Sequence, residues 1–132
     1  MPRSARVVIA NQPHHIIPRG HNRQVVFAQV EDYVYYSDTL AEWKEKLGCK
    51  IYAYCLMTNH VHLVINPGKD SENLALLMKR LAGRYTRYFN EKEKRIGTVW
   101  EGRYKWVKAV SDKINWVSEK QKLLTRYSSL FQ

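Results

Sequence analysis

The chain has 132 residues, 45% hydrophobic and 12% aromatic, which suits one domain with one buried core and is too short for two ordinary domains. An excess of 22 Lys and Arg over 12 Asp and Glu gives a formal net charge of +10, which favours a polyanionic partner such as nucleic acid. The longest uncharged run, 51–67, includes polar residues and falls short of the roughly 20 apolar residues of a membrane span, so we expect no membrane segment and a cytoplasmic location.

A strand, a helix and a β-hairpin are predicted in the first half of the chain. The run His14–Ile17 is strand-like and is closed by Pro18 and Gly20. Residues 30–48 have apolar side chains at helical spacing, acids early and lysines late, and they end at Gly48, a typical helix C-cap. Two apolar runs, 50–57 and 60–66, are joined by turn-tolerant residues and indicate an antiparallel hairpin.

The second half begins with the strongest helix pattern in the chain, within residues 67–97. Asp70 or Ser71 is its expected N-cap, and leucines and aromatics follow on one stripe. The other side of this helix is basic and carries Lys79, Arg80, Arg84 and Arg87. Residues 98–110 are predicted as an extended fourth strand, and an amphipathic pattern from Ser111 predicts a closing helix.

This order of elements, βαββαβ and then a helix, predicts an α+β domain over residues 1–132. The core, 1–110, has the ferredoxin-like split βαβ arrangement with a mainly antiparallel sheet, and 111–132 form an atypical C-terminal helix. Both main helices should cover one face of the sheet, which leaves the second face open for polar chemistry.

Two histidines, His60 and His62, lie in the predicted third strand within the segment "MTNHVHLVIN". Alternation puts both imidazoles on the face opposite Val61, Leu63 and Ile65, about 6.5 to 7 Å apart along the strand. They could bind one divalent cation between them. They could instead be polar residues on a solvated face, and the spacing alone favours this second interpretation.

Further landmarks surround the pair in a fixed order. The segment "RVVIANQPHHIIPRGHNRQVVF" precedes it, and the basic helix and "GTVWEGRYK" follow. From about residue 3 to residue 108 this series resembles the single-tyrosine HUH transposases, in particular the REP-associated tyrosine transposases. The resemblance implies a ferredoxin-like nuclease domain, with the histidine pair on a central strand, that cuts and joins single-stranded DNA beside hairpins.

The resemblance also implies the chemistry. A tyrosine attacks a DNA phosphate and forms a 5′-phosphotyrosine, assisted by Mg²⁺ or Mn²⁺ at His60 and His62. In the family the nucleophile follows the fourth strand, and Tyr127 is the only tyrosine beyond Tyr104. One of His14 and His15, on the neighbouring first strand, could face the metal; alternatively it forms a hydrogen bond or lies exposed.

Recognition of single-stranded DNA requires a cationic track and flat side chains on which bases stack. The expected stacking residues are Trp100, Tyr104 and Trp106. The expected cations are Arg19, Arg23, Lys79, Arg80, Arg84, Arg87, Arg103 and Lys105. A solvated basic helix face with core aromatics is the plainer alternative.

A homodimer is possible. The alternatives for function are a degenerate copy that binds hairpin DNA without cutting it and, more weakly, an RNA-binding ferredoxin-like domain.

Overall fold

The computed structural model describes residues 7–102 and 104–108. The elements in this part of the chain are β1 (His14–Ile17), a 3₁₀ turn (His21–Arg23), α1 (Val30–Leu47), β2 (Lys50–Leu56), β3 (Val61–Asn66), α2 (Glu72–Glu93) and β4 (Lys105–Lys108). None of the described helices has the length and apolar character required to cross a membrane. The closing helix predicted from Ser111 lies outside the described residues.

The sheet has four strands in the order β2-β3-β1-β4, and each of these pairings is antiparallel. Strands β1 and β3 are therefore central, and the histidine segment belongs to a central strand as predicted. The βαββαβ order and this sheet confirm the predicted α+β, ferredoxin-like arrangement.

One core fills the space between the sheet and the two helices. From β3, Val61, Leu63 and Ile65 are fully buried and belong to the same cluster as Leu74 and Leu81 of α2. Alternation along the strand directs the other side chains of β3 to the opposite face, where a small separate cluster is formed by Ala53, Cys55 and Val64. We call this the second face of the sheet.

The helices begin and end where local chemistry dictates. At α1, the side chains of Gln29 and Asp32 form a capping box, although Gln is not among the preferred N-cap residues. The helix ends at Gly48, whose left-handed φ of 69° agrees with the predicted C-cap. Helix α2 follows Ser71, one of the two predicted N-caps.

The fourth strand is shorter than predicted, since the extended pattern of 98–110 forms a strand only at Lys105–Lys108 among the described residues. Before it the chain turns at Gly97, with φ 95°, and folds against the segment that follows β1. The N–H of Glu101 donates to the carbonyl of Arg19 at 2.8 Å, and a bridge pairs Gly20 with Trp100. This loop is held beside Arg19 by those backbone bonds.

Candidate active site on the second face of the sheet

His15 and His62 meet on the second face. The register pairs His15 of β1 with Val64 of β3, so the His15 side chain shares the face of His62. Nε2 of His15 lies 3.0 Å from Nδ1 of His62, and the rings stack with centroids 5.2 Å apart. The two side chains are only 4% and 8% exposed, so the second face is less open around them than predicted.

His14 has a different role from its neighbour. It points to the helix-covered face, is fully buried, and its ring centroid lies 5.7 Å from that of Trp106. Its Nε2 accepts a hydrogen bond from the backbone N–H of Ile9 at 3.1 Å. Of the two histidines considered for the site, His15 is therefore the one beside His62.

His60 lies just before β3 and is bridged to Arg19 through the backbone. Its ring centroid is 5.0 Å from that of His62, with the rings edge to face at 82°. Nδ1 of His60 lies 2.8 Å from Oδ1 of Asn59, whose Nδ2 donates to the carbonyl of Arg23 at 3.4 Å. Because the Asn59 oxygen can only accept, His60 donates from Nδ1, and its lone pair is on Nε2.

The same protonation pattern suits His62. If its Nδ1–H donates to Nε2 of His15, both residues of the pair carry their lone pairs on Nε2 and could coordinate a cation through the same atom. Burial, and then the charge of Arg19, lower the pKa of His60 below its ordinary value of 6.5. That imidazole is consequently neutral at physiological pH, which is the form that binds a metal.

The two imidazoles of His60 and His62 fit a divalent cation whose other ligands are not side chains of the described residues. Within those residues, no group of three or more His, Cys, Asp or Glu side chains is arranged to hold a metal ion. Two imidazole ligands leave several coordination positions for phosphate oxygens and water, which are the ligands that Mg²⁺ and Mn²⁺ prefer.

A polar cleft of about 450 Å³ opens beside His60. Its lining residues are Arg19, Gly20, Arg23, Asn59, His60, Glu101 and Lys105. Three of them are cations and one is a carboxylate, so the cleft is net positive. We call it the cationic cleft; it brings three of the predicted DNA-binding residues together with the first histidine of the pair.

The loop of residues 18–24 positions two of these cations. Asn22 and Arg23 have left-handed φ values of 53° and 58°, which turn the chain tightly after β1. The N–H of Gly20 donates to the carbonyl of Asn59 at 2.8 Å, and this bond holds the loop against the residues before β3.

The basic side of α2 does not converge on the cleft. Helix α2 packs on the face of the sheet opposite His62, where Lys79, Arg80, Arg84 and Arg87 are all exposed. The guanidinium of Arg80 lies over the ring of Trp43, 5.4 Å from its centroid, and that of Arg84 lies 3.6 Å from the carboxylate of Glu42. Two of the four predicted contacts thus already interact with α1.

The predicted stacking residues lie next to the cleft rather than in it. Trp100 is 8% exposed and packs against Tyr36 and Tyr85, with centroid distances of 5.8 Å to each. Tyr104 is partly buried against the same core. Both line a second cavity that shares Glu101 with the cationic cleft.

No tyrosine of the described segments lines the cationic cleft. Tyr36 and Tyr85 are core residues whose pKa values are raised, first of all by burial. Tyr127, the predicted nucleophile, and Arg103, a predicted DNA contact, lie outside the described residues.

Sequence reasoning missed two residues of the cleft. Asn59 is one of the two turn-tolerant residues that join the predicted hairpin strands, and Glu101 lies in the segment predicted as an extended fourth strand. Glu101 is the one acidic residue within the basic and aromatic run "VWEGRYKW", and this contrast could have marked it as a candidate site residue.

Comparison with known proteins gives consistent results. A family model described as transposase, IS200-like, matches residues 9–119. The structure of a REP-associated tyrosine transposase bound to a REP hairpin is similar, with a TM-score of 0.72 and 14% identity over 96% of this chain and 76% of that one. A Deinococcus radiodurans R1 structure, whose name assigns it as a transposase, has a TM-score of 0.56 and 18% identity over 99% and 98% of the two chains. No curated protein sequence gives a significant match.

Proposed function

The chain belongs to the family of IS200-like transposases, and from that premise we propose that it is a metal-assisted endonuclease and strand transferase for single-stranded DNA. The observation that carries the proposal is that His60, whose ring contacts that of His62, lines one cleft together with Arg19, Arg23 and Lys105. The similar structure bound to a REP hairpin supports hairpin DNA as the substrate.

The cationic cleft would bind the DNA backbone. Arg19, Arg23 and Lys105 supply three positive charges within one cavity, and phosphates next to the scissile bond would be held there by charge-assisted hydrogen bonds. Binding and orientation of the strand therefore depend on the loop after β1 and on the first residue of β4.

His60 and His62 would hold the cation. Mg²⁺ or Mn²⁺, when bound, would polarise the scissile phosphate and stabilise charge on its nonbridging oxygens. The contribution of the chain itself is to present two imidazoles whose Nδ1 atoms contact Asn59 and His15. These contacts orient the rings before any ligand arrives.

Tyr127 is the proposed nucleophile. Its phenolic oxygen would bond to phosphorus while the bond to the 3′ oxygen breaks, which gives a 5′-phosphotyrosine and a strand with a 3′-OH; the proton lost by the tyrosine matches the one gained by the 3′ oxygen. The eight tyrosines within the described residues are absent from the lining of the cationic cleft, and Tyr127 is the ninth. This distribution supports its assignment.

A covalent protein–DNA adduct tests the proposal directly. Incubation with a labelled DNA hairpin that has single-stranded arms and Mg²⁺ or Mn²⁺ should give an adduct on a denaturing gel. His60→Ala, His62→Ala and Tyr127→Phe should abolish it, while Tyr52→Phe, at a tyrosine 47% exposed on β2, should not. Full activity in the histidine variants, or an adduct with Tyr127→Phe, would overturn the assignment.

A binding protein without catalysis is the alternative outcome. Tight, steeply salt-dependent binding of the hairpin by the wild-type chain with no adduct under any metal condition would indicate it.

Catalysis by a homodimer can be tested with the same variants. A mixture of Tyr127→Phe with a His60→Ala, His62→Ala double variant should regain adduct formation if the tyrosine of one subunit acts at the histidines of another. Without regain, the tyrosine acts within its own subunit.

A further inference from the structure

A second cavity, of about 320 Å³, shares Glu101 with the cationic cleft. Its volume is at the lower end of the roughly 300 to 1,000 Å³ of small-molecule sites, so it suits one flat ring system rather than a large ligand. Buried side chains of Tyr36, Met78 and Trp100 line it, and exposed ones of Ala75, Lys79 and Glu101 complete its wall. We call it the aromatic cavity.

We propose that the aromatic cavity receives one unstacked nucleobase of the DNA strand whose phosphates lie in the cationic cleft; this inference rests on the proposed function. A strand held by its backbone in the cleft would carry its bases past Glu101, the residue common to both sites. Apolar and aromatic walls suit the faces of a base, as they do in proteins that extrude a nucleotide.

The charged residues of the wall favour an amino-bearing base. A carboxylate accepts from the exocyclic amino group of cytosine, and an ammonium donates to a ring carbonyl. Glu101 and Lys79 supply these two groups. Thymine would instead direct a carbonyl oxygen at Glu101, and two acceptors that face each other repel. Cytosine should therefore bind better than thymine.

Three single strands of equal length serve as probes: oligo(dC), oligo(dT) and a strand of abasic residues. Binding is measured by fluorescence anisotropy with EDTA present, which separates it from catalysis. The wild-type chain should bind oligo(dC) about tenfold more tightly than the abasic strand, with oligo(dT) between them. Glu101→Gln should reduce the preference for cytosine over thymine.

Filling the cavity should remove the contribution of the base. In Ala75→Phe, and independently in Ala82→Leu two turns further along α2, oligo(dC) should bind only as well as the abasic strand. Ala75 is exposed, so the larger side chain need not disturb the core. Ala41→Phe, at an exposed alanine of α1, is the matched control and should keep the wild-type order.

The outcomes separate this inference from the proposed function. Equal, salt-dependent binding of all three strands by the wild-type chain would overturn the base site and leave the cationic cleft intact. An unchanged order of affinities in both filled variants would also overturn it. Failure to bind any strand would remove the inference together with the proposed function.

Discussion

Nε2 of His15 on β1 lies 3.0 Å from Nδ1 of His62 on β3, on the second face of the sheet, and both residues are buried. Since His62 is one of the two proposed metal ligands, this contact can fix both the orientation of its ring and the position of its proton. The strand register brings the two together, because His15 faces Val64, two residues after His62.

His15→Ala should therefore weaken metal binding without removing a ligand. We expect a loss of about 10- to 100-fold in Mn²⁺ affinity, measured by titration calorimetry. His15→Gln, whose side-chain oxygen can accept from His62, should restore part of it. Nitrogen chemical shifts of His62 in the metal-free protein should show the proton on Nδ1 in the wild type and a tautomer mixture in the alanine variant.

The control for this prediction is His21→Ala, which removes an exposed histidine of the 3₁₀ turn that does not line the cleft. It should bind Mn²⁺ as the wild type does. If His15→Ala also binds as the wild type does, and the shifts of His62 do not change, the contact is only packing.

The basic side chains that line the cationic cleft should determine the affinity for DNA. Arg19→Ala and Lys105→Ala should each weaken binding of single-stranded DNA and reduce the slope of log K against log salt by about 0.7. Arg87→Ala on α2 should have a smaller effect, because that helix lies on the other face of the sheet. The control is Lys46→Ala, at a lysine paired with Glu42 on α1. Equal slopes for Arg19→Ala and Lys46→Ala would contradict the assignment.

Local patterns were sufficient to predict most of the fold. The apolar stripes of both helices, the C-cap at Gly48 and the hairpin that contains the histidine pair depend on neighbours close in sequence. Alternation along β3 likewise predicted that Leu63 and His62 would face opposite sides, and the structure confirms it.

The rest of the site depends on contacts between distant segments. The choice between His14 and His15 requires the register of β1 against β3, which no pattern within either strand specifies. The position of Glu101 depends on a loop that folds back onto Arg19. Trp100 was predicted as a surface platform, but the same loop carries it into the core, where one of its sides lines the aromatic cavity.

Gly20 is a position where a side chain does not fit. A Cβ atom there would lie 2.4 Å from the carbonyl oxygen of Gln24 and 3.0 Å from a methyl carbon of Val26. Gly20→Ala should therefore displace the loop that carries Arg19 and Arg23, lower the thermal midpoint of unfolding and weaken DNA binding. Gly83→Ala, at an exposed α2 position with open space around its Cβ, should instead stabilise the fold by about 0.5–1 kcal/mol.

Comparison of Gly20→Ala with Gly83→Ala separates the effect of a steric clash from the effect of replacing a glycine where there is room for a side chain. If Gly20→Ala melts and binds DNA like the wild type, the close approach of the loop to Gln24 does not constrain it.

Asp32 joins the start of α1 to the end of α2. Its fully buried carboxylate accepts from the backbone N–H groups of Ala28 and Gln29 and from the hydroxyl of Tyr88, and it pairs with Lys92 at 2.5 Å. Burial alone would raise its pKa, but Lys92, Tyr88 and the two N–H groups together favour the charged form, and the pKa lies below its ordinary value of 3.8.

The sign of this shift predicts acid sensitivity. A depressed pKa in the folded state stabilises the protein above the ordinary carboxylate pKa, and that stability is lost as the pH falls below about 4. Asp32→Asn should lower the free energy of unfolding at pH 7 by about 1–3 kcal/mol and flatten its dependence on pH in the acid range, measured by urea unfolding. Asp38→Asn, at an exposed position of the same helix, should retain the wild-type profile. An unchanged acid profile in Asp32→Asn would mean that other carboxylates determine it.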